Sequence, residues 1–176
     1  MCIRDSYNSD YSLKKRYGNL IPSVPNNGIN SIYEDHFGNI WVCTWGGGLY
    51  KYLKNTDTFM SFPTIGTKNT PFKIFQDKDD QYWILTWGDG IYRFHPDATE
   101  DNMYTHQEVF NEKLHLPETA FFSVVQDDVY GYIWVFGYHE LYAFKVVDGH
   151  LKKVDLSSYM FDYNKMFSQI INCLLY

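Results

Sequence analysis

Cysteine, long apolar runs and positive charge are all scarce in this chain of 176 residues, and each scarcity removes a class of protein. The three cysteines, Cys2, Cys43 and Cys173, are odd in number and widely spaced, so they form neither a disulfide framework nor a metal knuckle and do not report a redox compartment. No stretch approaches the roughly 18 apolar residues of a membrane helix, and the opening MCIRDS lacks the apolar core of a signal peptide. Lys and Arg number 15 against 21 Asp and Glu, for a net charge of −6, and the only basic cluster is Lys14, Lys15 and Arg16. The chain therefore lacks the electrostatic footprint of a nucleic-acid binder.

Catalytic and metal signatures are missing too. His36, His95, His106, His115, His139 and His150 are scattered and fall in no H-E-x-x-H or comparable ligand spacing. There is no G-x-S-x-G, and no Ser or Cys stands in a nucleophile context. The acidic run DKDDQ at 77–81 fails the calcium-loop template, which wants Gly at the sixth position and Glu at the twelfth, where this chain has Tyr82 and Gly88. WGGG and WGDG are glycine-rich but lie between two predicted strands rather than before a helix, so they do not read as phosphate-binding loops. These absences predict a segment without catalysis, cofactor or metal.

What the chain has in abundance is aromatic side chains: 16 Tyr, 13 Phe and 5 Trp. Such residues favour strands, which predicts an all-β protein. In the stretch NIWVCTWGGGLYKY, 39–52, Trp41, Cys43 and Trp45 fall on one face of a strand and Ile40, Val42 and Thr44 on the other. Neither row suits water, whereas an open antiparallel sheet presents one polar face.

A repeat accounts for this. NSIYEDHFGNIWVCTWGGGLYKYL (30–53) aligns without a gap on FKIFQDKDDQYWILTWGDGIYRFH (72–95), so that Trp83 lies 42 residues after Trp41 and Trp87 42 after Trp45. A third copy, SVVQDDVYGYIWVFGYHELYAFKV (123–146), puts Trp134 51 residues after Trp83, the extra length falling in the connection before it. The first copy predicts strands at Ile29 to Glu34, Ile40 to Trp45, Gly48 to Leu53 and Thr58 to Phe62, joined by the turns HFGN and WGGG. Four antiparallel strands in a period of roughly 40 to 50 residues match a β-propeller blade. Blades stack face to face, so their second strands are covered on both sides.

The predicted architecture is a partial propeller of about three blades, at 29–66, 67–118 and 119–162. Residues 7–28 read as the end of a preceding blade and 163–176, with KMFSQII, as the start of a further one. Residues 1–6 resemble a short non-native leader and are set aside. Asp35, Asp77 and Asp128, each six residues before a Trp, read as turn residues that accept backbone N–H bonds rather than as a carboxylate ring. Trp41, Trp83 and Trp134 are predicted interblade core residues, and Gly47, Gly48 and Gly90 belong to the turns of the repeat.

The pattern carried by Asn27 to Tyr52 resembles the two-component regulator propeller repeat, over about residues 26 to 160. The second copy departs from it at Asp80 and Asp89, and the third replaces the second Trp by Tyr138 and the glycines by His139 and Glu140. The resemblance implies the sensor propeller of a bacterial hybrid two-component system, placed in the periplasm, with oligosaccharides or their breakdown products as ligand. It also implies partners in the same parent chain: the remaining blades, a following β-sandwich, a transmembrane helix and a histidine kinase. Three blades cannot close a ring, so the chain reads as a piece of a larger protein that makes no membrane contact itself. A dimeric parent is compatible with these residues, which do not fix oligomeric state.

Chain direction then predicts a ligand site. The turn between strands two and three lies at the same end of a blade as the connection to the next blade, because antiparallel neighbours reverse direction. Trp45, Trp87 and Tyr138, together with the long 109–119 connection, are therefore expected on one face, where aromatic rings would suit a sugar or a partner loop. The competing expectation is that these three rings only cap the interblade core. A propeller enzyme acting on glycans, as a lyase or hydrolase, and a noncatalytic interaction scaffold are the alternative functions, since the fold hosts all three.

Overall fold

The computed structural model describes residues 5–16, 28–127 and 129–156. Within them the chain forms three four-stranded antiparallel sheets, each with its strands in sequence order. The first sheet is β3 (Ile29–Glu34), β4 (Ile40–Thr44), β5 (Gly48–Leu53) and β6 (Thr58–Ser61), after a short hairpin of β1 (Asp5–Tyr7) and β2 (Leu13–Arg16). The second is β7 (Pro71–Gln76), β8 (Tyr82–Thr86), β9 (Ile91–Phe94) and β10 (Tyr104–Gln107). After the small hairpin β11 (Phe110–Asn111) and β12 (Leu116–Pro117), the third is β13 (Phe121–Gln126), β14 (Ile133–Gly137), β15 (Leu141–Val147) and β16 (His150–Lys153).

The sheets meet chiefly through their first strands, β3 against β7 and β7 against β13, so these are innermost and the fourth strands lie at the rim. This is the arrangement of propeller blades, and the described residues form an arc of three rather than a closed ring. The fold is the expected all-β partial propeller. Two strand ends fall one residue short of the sequence reading, since β4 ends at Thr44 and β6 at Ser61. Strand β1 begins inside the 1–6 segment that the sequence sets aside, and the 109–119 connection, read as loop, contains the β11–β12 hairpin.

Alternation along the second strands divides the apolar residues between two interblade cores. Trp41 and Cys43 pack with Leu49, Ile74, Tyr82, Ile84 and Phe94 between the first and second blades. Trp83 and Leu85, one residue out of phase with Tyr82 and Ile84, pack with Phe121, Ile133, Val135 and Tyr142 between the second and third. Hence all five residues of β8 are buried, as an apolar strand covered on both faces requires. Trp41 and Trp83 are 1% and 0% exposed. Trp134, at the same place in β14, is only half-buried, because its face turns away from the second blade and no further described strand covers it.

Each first turn is closed by a carboxylate. Asp35 Oδ1 accepts the N–H groups of Phe37 and Asn39 while Oδ2 accepts Trp41 Nε1 at 2.8 Å. Asp77 repeats this with Asp79, Gln81 and Trp83. In the third blade the residue bonded in this way is Asp127, seven positions before Trp134, which takes the N–H groups of Val129, Tyr130 and Tyr132 and the indole of Trp134. The sequence reading assigns this place to Asp128, which lies outside the described residues. The third turn is one residue longer than the others, which shifts the gapless alignment of its first strand by one.

Candidate functional site: an aromatic face at the blade connections

The same backbone bond fixes the end of every second strand. Trp45, Trp87 and Tyr138 donate their N–H groups to the carbonyls of Gly28, Thr70 and Ala120, each just ahead of its blade's first strand, at 2.7 to 3.0 Å. In the second blade the turn is tied further to the outgoing connection, with Gly88 N and Gly90 N both bonded to Thr119 O. Close packing there requires glycine. Gly48 has φ +88°, and a Cβ on it would fall 2.9 Å from Asn69 Nδ2; Gly90 has φ +83°, with His106 Nε2 2.8 Å away. Gly47, between β4 and β5, accepts the Tyr50 hydroxyl on its carbonyl at 2.9 Å.

A second device brings more rings to this end. Each first strand carries a β-bulge after its opening residue, and the extra residues are Asn30, Phe72 and Phe122. Bulges re-aim side chains. Here they leave Phe72 and Phe122 6.2 Å apart and edge-on, with Phe72 6.0 Å and Phe122 5.1 Å from Trp87. Trp45 lies 6.0 Å from Trp87 on one side, and Tyr138 lies 6.1 Å from Phe122 on the other. Trp45, Trp87, Phe122 and Tyr138 thus form one unbroken row across three blades, with Phe72 set into it.

These rings stand outside both buried cores. Trp45 and Tyr138 are 45% and 61% exposed, and Trp87 is half-buried. Sequence reasoning placed three members of the row but not Phe72 and Phe122. The available signal was an aromatic that opens the second copy and one that immediately precedes the third, in PFK and FFS.

Polar groups border the row. Asp89 accepts Thr67 Oγ1 and Lys68 N, which folds the incoming connection onto the second turn. Glu118, 3% exposed, receives the His139 N–H at 3.2 Å and the Tyr142 hydroxyl at 3.3 Å on one oxygen. Burial and the Glu118 charge both push the Tyr142 phenol upward, so it stays protonated as a donor. On β7, Lys73 is half-buried with its ammonium 3.3 Å from Ser123 Oγ, and burial lowers its pKa. Among the described residues no three His, Cys, Asp or Glu side chains gather as a metal would need. The carboxylates of Asp35, Asp77 and Asp127 sit at the opposite end of the blades, each engaged in its own turn.

The family description two component regulator propeller matches residues 23–46, across the first turn and second strand of the first blade. The match covers a single repeat of the chain. In three dimensions it is similar to the extracellular domain of the hybrid two component system BT3049 from B. thetaiotaomicron, with TM-score 0.55 and 26% identity over 75% of this chain and 16% of that one. Virginiamycin B lyase from Staphylococcus aureus shares the fold with TM-score 0.62, at 11% identity over 87% of this chain and 48% of the lyase. PorZ, a surface component of the type-IX secretion system of Porphyromonas gingivalis, does so with TM-score 0.58 and 17% identity over 82% of this chain and 23% of that one. No curated protein matches the chain by sequence. The chain spans less than half the length of each of these structures, and at such identities the likenesses to the lyase and to PorZ show the fold alone. Among the described residues no helix is long and apolar enough to cross a membrane.

Proposed function

We propose that this chain is part of the extracytoplasmic, ligand-sensing propeller of a bacterial hybrid two-component receptor, and that its aromatic face binds a glycan. The observation that carries the reading is the row Trp45, Trp87, Phe122 and Tyr138 at the end where blades connect, exposed at Trp45 and Tyr138 and half-buried between them. Solvent-facing rings of this kind present flat apolar surface to the C–H face of a sugar, while the polar border addresses its hydroxyls. The propeller repeat and the likeness to the BT3049 extracellular domain support a sensor role outside the cytoplasm.

In this reading the propeller itself is noncatalytic. Its binding energy biases the orientation of the following domains of the parent chain, through which a histidine kinase reads it. The test replaces Trp45, Trp87 and Tyr138 singly by Ala in the full-length receptor and measures affinity for an oligosaccharide panel and melting temperature separately. Affinity lost at unchanged stability is the expected result. Loss of stability with affinity intact overturns the site, and cleavage of any oligosaccharide by the unaltered propeller overturns the noncatalytic reading in favour of a propeller enzyme.

A further inference from the structure

Lys73 is the only cation on the three innermost strands, β3, β7 and β13. Its place immediately after the bulge is occupied by Ser31 and Ser123 in the neighbouring blades, so the charge is specific to one position on the arc rather than part of the repeat. The side chain crosses from β7 to β13 and sets its ammonium 3.3 Å from Ser123 Oγ. Lys73 directly follows Phe72 and Ser123 directly follows Phe122, so the ammonium sits between the strands that carry the two bulge rings. Among the described residues no carboxylate stands within ion-pair distance of it.

A half-buried ammonium with one neutral partner is costly for a fold to keep. Water and a counter-charge are both partly withdrawn, and burial depresses the Lys73 pKa accordingly. The other cations near these rings are differently placed. Lys68 lies on the exposed connection, and Lys113 is paired with Glu140 at 3.4 Å. Among the described cations Lys73 alone combines partial desolvation, N–H donors beyond the one given to Ser123 and a position beside the rings. A partly desolvated ammonium binds an anion more strongly than an exposed one, because its Coulomb attraction is less screened.

We propose that Lys73 makes this face selective for acidic sugars, its ammonium donating to a carboxylate or sulfate of the glycan while Trp87, Phe72 and Phe122 carry the ring. The inference rests on the aromatic face being a sugar platform and adds the ligand's charge to it. The test is calorimetric titration of the full-length receptor with three probes of equal length: a galacturonate oligosaccharide, a sulfated galactan oligosaccharide and a neutral galactan oligosaccharide. Two ionic strengths are compared, along with the variants Lys73→Met, Lys73→Arg and Trp87→Ala.

The unaltered receptor is expected to bind one acidic probe at least tenfold more tightly than the neutral one and to weaken as salt rises. Which acidic probe it prefers distinguishes carboxylate from sulfate. Lys73→Met should lower that affinity roughly tenfold or more, well beyond any loss for the neutral probe, and Lys73→Arg should restore most of it. Acidic binding that ignores salt, or that persists in Lys73→Met, overturns the proposal. Neutral binding that is as tight as acidic and falls in Trp87→Ala but not in Lys73→Met removes the acidic assignment and leaves the platform standing. Absence of binding by all three probes removes both. The salt dependence of the unaltered receptor keeps the test decisive should Lys73→Met fail to fold.

Discussion

Replacing Asp35 by Ala tests the linkage between the first two blades. The carboxylate is 5% exposed and accepts five hydrogen bonds: Phe37 N and Asn39 N on Oδ1, and Asn39 Nδ2, Trp41 Nε1 and Tyr82 OH on Oδ2, at 2.7 to 3.0 Å. Tyr82 belongs to the second blade, so a single side chain closes a turn and spans an interface. Its removal strands the indole N–H and the phenol O–H, both on buried residues, while the two backbone donors can reach water at the turn. At about 1 to 3 kcal/mol for each orphaned buried donor, the expected loss is about 2 to 6 kcal/mol, read by urea denaturation. Tyr82→Phe, which removes only the interblade bond, should cost about 1 to 3 kcal/mol. The acid limb supplies an independent reading. Burial alone would raise the Asp35 pKa, but the bonds from Trp41, Tyr82 and Asn39 outweigh it and hold the group at about 2, below its ordinary 3.8. Between those values the unfolded chain binds a proton that the folded chain refuses, so this contribution is fully present above the ordinary value and is lost as pH falls through about 2. Asp35→Asn has no such proton to bind, and its stability should depend less steeply on pH in that window. An Asp35→Ala loss below about 0.5 kcal/mol, the range of surface substitutions with no structural role, would refute the clamp.

Trp83→Ala should cost about 3 to 5 kcal/mol in urea denaturation and Trp134→Ala clearly less, because only the former ring is sealed between two described blades; equal losses would contradict this placement. Gly48→Ala and Gly90→Ala combine positive φ with a blocked Cβ and should each lower stability by about 1 to 3 kcal/mol. Gly131→Ala, with φ +69° and no atom within 4 Å of its Cβ, should suffer from backbone strain alone and melt at a higher temperature than either. The isolated chain of 176 residues should self-associate in size-exclusion chromatography with light scattering, since the outward face of the third blade leaves Trp134 half-buried; a monodisperse monomer with a sharp melt would speak against an open arc.

Much of the fold was legible because each blade states its pattern in physical terms. Apolar residues in both phases of the second strand, a turn-closing Asp and glycines at positive φ are local requirements, and they fix the strands of the first blade to within a residue. The β11–β12 hairpin was not legible, since its strands are two residues each and Pro117 stands in the second. The half-burial of Trp134 was not legible either. A ring's burial depends on the neighbour that covers it, and the sequence of one blade does not carry its neighbour.

The misassigned turn carboxylate and the missed Phe122 have one cause. A gapless alignment from Trp134 backward puts Asp128 beneath Asp35 and Asp77, and it puts Ser123 beneath Asn30 and Phe72. The third turn spends one residue more between its carboxylate and β14, so the bonded residue is Asp127 and the strand before it slides by one. A one-residue slip in a strand exchanges its two faces. With the shift applied, Phe122 falls beneath Phe72, Ser123 beneath Lys73, and the bulge recurs at one place in all three blades. The indole bond decides the register, because Trp134 Nε1 reaches Asp127 Oδ2 at 3.0 Å in the way that Trp41 reaches Asp35 and Trp83 reaches Asp77. In this repeat the marker to align on is thus the hydrogen-bonded Asp–Trp pair, not the spacing between them. Once it is used, the two hidden rings and the unmatched lysine appear together at the inner edge of the same face.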